Sequence, residues 1–124
     1  MMANETPVVL EVDAVRKERL DPSGKVVEIL KGVSLNAAQG RMTIVFGPSG
    51  GGKSTLIRLL NRLEDPSYGS ILLKGENIAS LEPIQLRRRI GLMPQKPFMF
   101  PCTVLENLQR PALYRRQIPP AADS

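Results

Sequence analysis

A chain of 124 residues, 42% hydrophobic and 23% charged, has the length and composition of one modest globular domain with a real core. Its net charge of +5 raises nucleic acid as a partner, but the basic residues form three short clusters (Arg16, Lys17 and Arg19; Arg87 to Arg89; Arg115 and Arg116) with few aromatics to stack bases; they read as solvated faces or protein contacts, with no nucleic acid. No stretch approaches the roughly 20 apolar residues that cross a bilayer, the N-terminus lacks the basic-then-apolar order of a secretory signal, and the lone Cys102 excludes an internal disulfide and fits a reducing cytosol.

The first segment reads as β structure. Val8–Val12 and Val26–Leu30 are apolar runs, and Asp21-Pro22-Ser23-Gly24 between them is a strong turn signal. Val33–Ala37 alternates as a separate half-buried strand should. Several short antiparallel strands are therefore expected. Gln39-Gly40-Arg41 then turns into Met42–Phe46, an apolar run with β-branched Thr43, Ile44 and Val45, which predicts a buried strand.

The run Gly47-Pro48-Ser49-Gly50-Gly51-Gly52-Lys53-Ser54 follows at once. It fits the phosphate-loop pattern G-x-x-x-x-G-K-[ST] at every fixed position. Consecutive glycines let backbone N–H groups converge on an anion, and a helix opening at the end of the loop adds its positive pole. Lys53 supplies a mobile charge for the β- and γ-phosphates, and Ser54 a hydroxyl for Mg²⁺. Leu56, Leu59, Leu60 and Leu63, with Ile57 beside them, give the apolar stripe of that helix.

Pro66 and Gly69 end the helix region and reverse the chain. Ser70–Lys74 reads as a strand and Gly75-Glu76-Asn77 as a turn. Ser80 to Pro83 looks like a helix start with proline in the first turn, and that short helix ends in the arginine run. Ile90–Met93 reads as another buried strand leading into Pro94-Gln95-Lys96-Pro97. Thr103 is placed to cap a last helix through Val104, Leu105 and Leu108. Order is expected from about residue 8 to 110, with fraying over 115–124.

Three segments in this order carry a resemblance. Leu30-Lys31-Gly32-Val33-Ser34-Leu35 precedes the loop; Leu59-Leu60-Asn61-Arg62-Leu63 leads to Asp65-Pro66-Ser67-Tyr68-Gly69-Ser70-Ile71; Arg88-Arg89-Ile90-Gly91-Leu92-Met93-Pro94-Gln95 comes last. From about Val8 to Leu108 the chain resembles the N-terminal half of an ATP-binding subunit of an ABC transporter, with a flavour of bacterial phosphate-import or metal-export ATPases. The resemblance implies an α/β P-loop fold, a partial ABC ATPase core in which an antiparallel β subdomain joins the strand, loop and helix. It implies ATP and Mg²⁺ as ligands. The loop from Gly47 to Ser54 would wrap the phosphates, Lys53 would bridge the β- and γ-phosphates, Ser54 would ligate Mg²⁺ and Thr55 would reach the α-phosphate. Gln95 would contact Mg²⁺ or the attacking water. Implied partners are transmembrane permease subunits and a second ATP-binding subunit, at the cytoplasmic face of the cell membrane. Pro97–Pro101 reads either as a contact for the membrane partner or as ordinary core filling by Phe98 and Phe100.

Departures from the family are equally specific. No aromatic lies between Met1 and Val45, where the family keeps a ring that stacks on adenine. Arg19 stands at that place, either stacking its guanidinium on the base or acting as a solvated charge. The segment L-S-G-G-Q, the strand ending in Asp-Glu that supplies the catalytic base, and any histidine are all absent. The sheet is expected to lack its later strands and to expose an edge. Little or no turnover is expected of this piece, and a shortened, non-catalytic nucleotide- or partner-binding protein is the alternative. A kinase or GTPase is disfavoured by the early antiparallel strands and by the lack of a guanine-reading Asn-Lys-x-Asp.

Overall fold

A computed structural model describes residues 6–117. β1 (Val8–Leu20) and β2 (Val26–Ala38) form a long antiparallel hairpin. Its turn lies where the sequence puts it. Asp21 Oδ1 accepts the backbone N–H groups of Ser23 and Lys25, each at 2.9 Å, and Gly24 takes the left-handed φ of 86° that the reversal needs. The two runs expected as separate strands, Val26–Leu30 and Val33–Ala37, are one strand. Both pair with β1, and the residue between Lys31 and Val33 is absorbed as a bulge opposite Val15 and Arg16.

β3 (Tyr68–Leu73) pairs antiparallel with the other edge of β1, and the short β4 (Glu76–Asn77) pairs with β3. The sheet order is β2-β1-β3-β4. Of the segment expected as a turn at Gly75–Asn77, Gly75 lies in one and Glu76–Asn77 form β4, and a 3₁₀ turn at Ile78–Ser80 follows.

Two helices complete this part of the chain, α1 (Lys53–Leu60) and α2 (Pro83–Arg89). Glu82 caps α2 by accepting the Gln85 N–H at 2.9 Å, and Pro83 sits in its first turn as the sequence suggests. Val12 and Val15, Leu30, Ile71 and Leu73, Leu56 and Leu59, Ile78 and Leu86 form one buried aliphatic cluster. Leu63 lies beyond the end of α1 and is exposed. Arg87 donates to the carbonyls of Asn61 at 3.2 Å and Arg62 at 2.8 Å, fastening the C-terminal end of α1 to α2.

Val12 and Val15 are three residues apart, so in a straight strand they would face opposite sides. Both are fully buried because β1 bulges between Asp13 and Arg16, with Ala14 at φ 46°. Gly69 of β3 runs against that bulge. It has φ 87°, and a Cβ there would lie 2.5 Å from the Ala14 carbonyl oxygen and 2.6 Å from that of Asp13.

Two expected strands do not form. Met42–Phe46 has no β ladder, and Met42 and Phe46 are each 87% exposed. Its composition suits a buried strand, but no other described segment pairs with its backbone or covers its side chains. Ile90–Met93 likewise remains outside any sheet, with Met93 exposed.

The chain divides into two compact units between Leu92 and Met93. The second holds α3 (Val104–Gln117). Thr103 caps it as expected, and the cap is reciprocal. Thr103 Oγ1 accepts the Glu106 N–H at 3.1 Å, and Glu106 Oε2 accepts the Thr103 N–H at 2.8 Å. Asn107 reaches back to accept the Phe100 N–H and to donate to the Thr103 carbonyl, both at 2.9 Å, which stitches the preceding loop to the helix. Phe98 and Phe100 meet edge to face at 5.1 Å, and the Arg110 guanidinium lies 4.0 Å over the Phe100 ring. Of the tail expected to fray over 115–124, residues 115–117 belong to α3 and the rest lies outside the described residues. Among the described residues no helix is long and apolar enough to cross a membrane.

Candidate functional site

The glycine-rich loop joins the Met42–Phe46 segment to α1. Gly50 and Gly52 take φ of 79° and 87°, a region that residues with a Cβ avoid, and the Gly51 N–H donates to the Pro48 carbonyl at 3.1 Å. Gly52 is the residue before the first helical turn and has no side chain to cap it, so the N–H groups of that turn remain available to a ligand. Gly52 is needed for a second reason that the motif does not state. A Cβ on it would lie 2.8 Å from Leu30 Cδ2 and 3.0 Å from the Ile29 carbonyl oxygen, so the loop seats its backbone directly on β2.

Lys53, the first residue of α1, folds back over the loop. Its ammonium donates to the Pro48 carbonyl at 2.9 Å and to the Gly47 carbonyl. These are carbonyl acceptors on a single exposed loop, and an anion carrying full charge would outcompete them. Pro48, Ser49, Gly50 and Gly51 are exposed around the ammonium, and Ser54 is exposed on the first turn.

Thr55, the next residue, is instead buried, and charges converge on it. Its Oγ1 accepts from Arg19 at 3.3 Å and lies 3.5 Å from Arg58 Nη2. The Glu64 carboxylate binds the same two side chains: Arg19 Nη2 donates at 2.6 and 2.8 Å, and Arg58 Nε at 3.0 Å. Two guanidinium groups thus share one carboxylate beside the loop. Lys17 adds a third cation, donating to the Asp65 carbonyl at 2.6 Å. Arg19, which the sequence offers as the residue facing the base, is here bound to Glu64 and Thr55.

The hydrogen bond from Arg58, aided by the nearby charges of Arg19, Arg58 and Lys17, holds the Glu64 carboxyl below its usual range against the opposing effect of burial. A carboxyl depressed in the folded state contributes stability above its unfolded value, near 4.5, and loses it as pH falls through the folded value. Thermal melts followed by circular dichroism should therefore drop as pH is lowered below about 4.5, and Glu64→Gln should remove part of that slope. A variant as acid-sensitive as the parent would show that this carboxylate is not responsible.

Nothing in the sequence pairs Arg58 with Glu64. They are six residues apart across a helix end, and Arg19 is 45 residues from Glu64, so no periodicity links the three. Gln95 lies in the second unit, exposed in a bend, and is described there by itself. Phe98 and Met99 in the same unit are 74% and 62% exposed, and Phe100 is 36% exposed. Among the described residues no group of three or more His, Cys, Asp or Glu side chains is arranged to hold a metal ion.

A family model described as ABC transporter matches residues 30–123. The chain belongs to the ABC transporter family. The fold is that of a partial ABC ATPase domain. Protein STAR1 of Oryza sativa subsp. japonica is 48% identical over 82 residues, which are 66% of this chain and 24% of that protein. The osmoprotectant import ATP-binding protein OsmV of Salmonella typhimurium is 36% identical over 101 residues, 81% of this chain and 26% of that protein. In three dimensions the chain is similar to a bacterial Atm1-family ABC exporter solved with ATP bound, with a TM-score of 0.67 and 37% identity over 81% of this chain and 17% of the exporter. The chain thus spans about a quarter of the length of these two curated relatives.

Proposed function

We propose that this chain binds the Mg²⁺ complex of ATP at Gly47–Thr55 and forms part of the ATPase that energises solute transport across a membrane. The observation that carries the reading is the Lys53 ammonium held at the mouth of a glycine loop whose helix opens without a side-chain cap. In this reading the loop N–H groups and Lys53 take the β- and γ-phosphates, and Thr55 takes the α-phosphate. Bound Mg²⁺ neutralises charge on the phosphates. Ser54, exposed on the first turn of α1, is the group of this unit that would hold it.

Within the family, the segments before and after the loop favour an ATPase of the phosphate-import or metal-export type. The partners would be transmembrane permease subunits and a second ATP-binding subunit, with the chain at the cytoplasmic face of the membrane. The exposed Phe98 and Met99 suit contact with such a permease. The unpaired Met42–Phe46 segment favours one second reading, a non-catalytic nucleotide- or partner-binding protein. The length of the product in the source cell separates the two: a short form alone supports the second.

A calorimetric titration with MgATP tests the binding step. Saturable binding is the expected result, and no binding by the folded chain would overturn the reading. The same preparation should show no sustained hydrolysis, because neither Lys53 nor Gln95 is a base able to activate water. Sustained turnover that Lys53→Ala abolishes would refute that expectation.

A further inference from the structure

The groups around Thr55 bear on which part of a nucleotide this site reads. Recognition of a base needs an aromatic face, or unpaired donors and acceptors for its edge. Among the described residues of this unit no aromatic face lies beside Thr55, and the side-chain acceptors there are taken, so that only guanidinium N–H groups are left to meet a ligand. The side chains gathered there are Arg19, Arg58 and Glu64, and both Glu64 oxygens are already engaged by guanidinium N–H groups. In this unit the described aromatics are Phe46 and Tyr68. Phe46 is 87% exposed, and Tyr68 lies under the Arg16 guanidinium at 6.0 Å. Positive charge, by contrast, is in excess. Arg19 and Arg58 divide one carboxylate, and Arg19 Nη2 lies 3.3 Å from the hydroxyl of Thr55 in the first turn after the loop.

We infer that Arg19 is a phosphate-binding residue and that the site selects a tripolyphosphate chain, with little regard to the base attached to it. The inference rests on the proposed binding of nucleotide at Gly47–Thr55 and names what that site reads. On binding, the Arg19 guanidinium turns one or both of its donors from Glu64 to an oxygen of the phosphate nearest Thr55. Arg58 stays on Glu64, so the carboxylate is not left unpaired. A guanidinium offers a planar fork to phosphate and, at most, a sequence-tolerant surface to any base. Nucleoside triphosphates of every base are therefore accepted by the same contacts.

The test is competition and direct titration with the Mg²⁺ complexes of ATP, GTP, CTP and inorganic tripolyphosphate. The proteins are the parent chain, Arg19→Gln and Arg19→Tyr, each checked by circular dichroism for the parent fold. In the parent, the three nucleotides should bind within about threefold of one another, and tripolyphosphate within about tenfold. Arg19→Gln should weaken all four by a similar factor of about five to thirty. Arg19→Tyr should weaken tripolyphosphate in the same way yet create a preference for ATP over CTP, since a ring now faces the base. A parent that binds ATP more than tenfold tighter than CTP overturns the inference, as does an Arg19→Gln that weakens ATP and spares tripolyphosphate. Either result would leave nucleotide binding itself intact. Failure of all four ligands to bind the parent would instead remove the underlying reading, and this one with it.

Discussion

Lys53→Ala should abolish measurable MgATP binding while leaving the fold in place. Among the described residues the ammonium is the one side-chain cation that reaches the loop carbonyls of Gly47 and Pro48, so it stands where the terminal phosphates of a ligand in the loop would lie. A charge-assisted hydrogen bond contributes about 1.5–3 kcal/mol, and bridging two phosphates engages two of them. The expected loss is therefore about two to four orders of magnitude in affinity. The cost to folding is small, because the bonds lost go to exposed loop carbonyls that water can reach, so the melting curve should move by only a few degrees. Calorimetry on both proteins, beside thermal melts, checks both halves. Unchanged affinity in the variant would mean that ATP binds somewhere other than the glycine loop.

Gly69→Ala should destabilise the fold severely. The Cβ would be driven to 2.5 Å from the Ala14 carbonyl oxygen, and the obstacle is backbone in a bulge already pinned by its own pairing. Escape would require β3 to move away from β1, where Ile71 and Val12 are fully buried. The left-handed φ alone costs an alanine about 1–2 kcal/mol, and the clash brings the expected total to about 3 kcal/mol or more, a large share of the 5–15 kcal/mol that holds a domain folded. Gly24→Ala is the matched control. Its φ is 86° against 87°, but nothing lies within 4 Å of its Cβ position. Urea titrations should show Gly24→Ala losing only the backbone component, with the difference between the variants reporting the close approach. Equal losses would mean that the bulge yields freely to a side chain.

The local chemistry of the chain was legible from its residues. The phosphate loop, the Asp21–Gly24 turn, Pro83 at a helix start and Thr103 as a cap all depend on neighbours within a few positions. Fold class came from the family resemblance that the ordered segments carry, and the family match agrees with it. What failed was non-local. Met42–Phe46 has the composition of a buried strand, but composition records fitness for a sheet and not whether a partner strand is there. The bulge of β1 was hidden because the three-residue spacing of Val12 and Val15 breaks the alternation by which strands are read, and the sequence reading ended that strand at Val12. The Arg19, Arg58 and Glu64 cluster was invisible for a related reason. Its members come from β1, α1 and the segment after α1, and only the closed fold brings them together.

The seating of Gly52 on Ile29 and Leu30 also orders events during synthesis. A chain made from its N-terminus releases β1 and β2 before the phosphate loop, and a hairpin with a tight turn such as that at Asp21 closes on a microsecond scale. The phosphate loop therefore emerges after both strands of the hairpin on which Gly52 rests. β3 follows later to pair with the opposite edge of β1 and cover its bulge, and Glu64, just ahead of β3 in the chain, arrives with it to tether Arg19. The contact under the loop is thus made by residues synthesised before it, and the ion pairing beside it by residues synthesised after it.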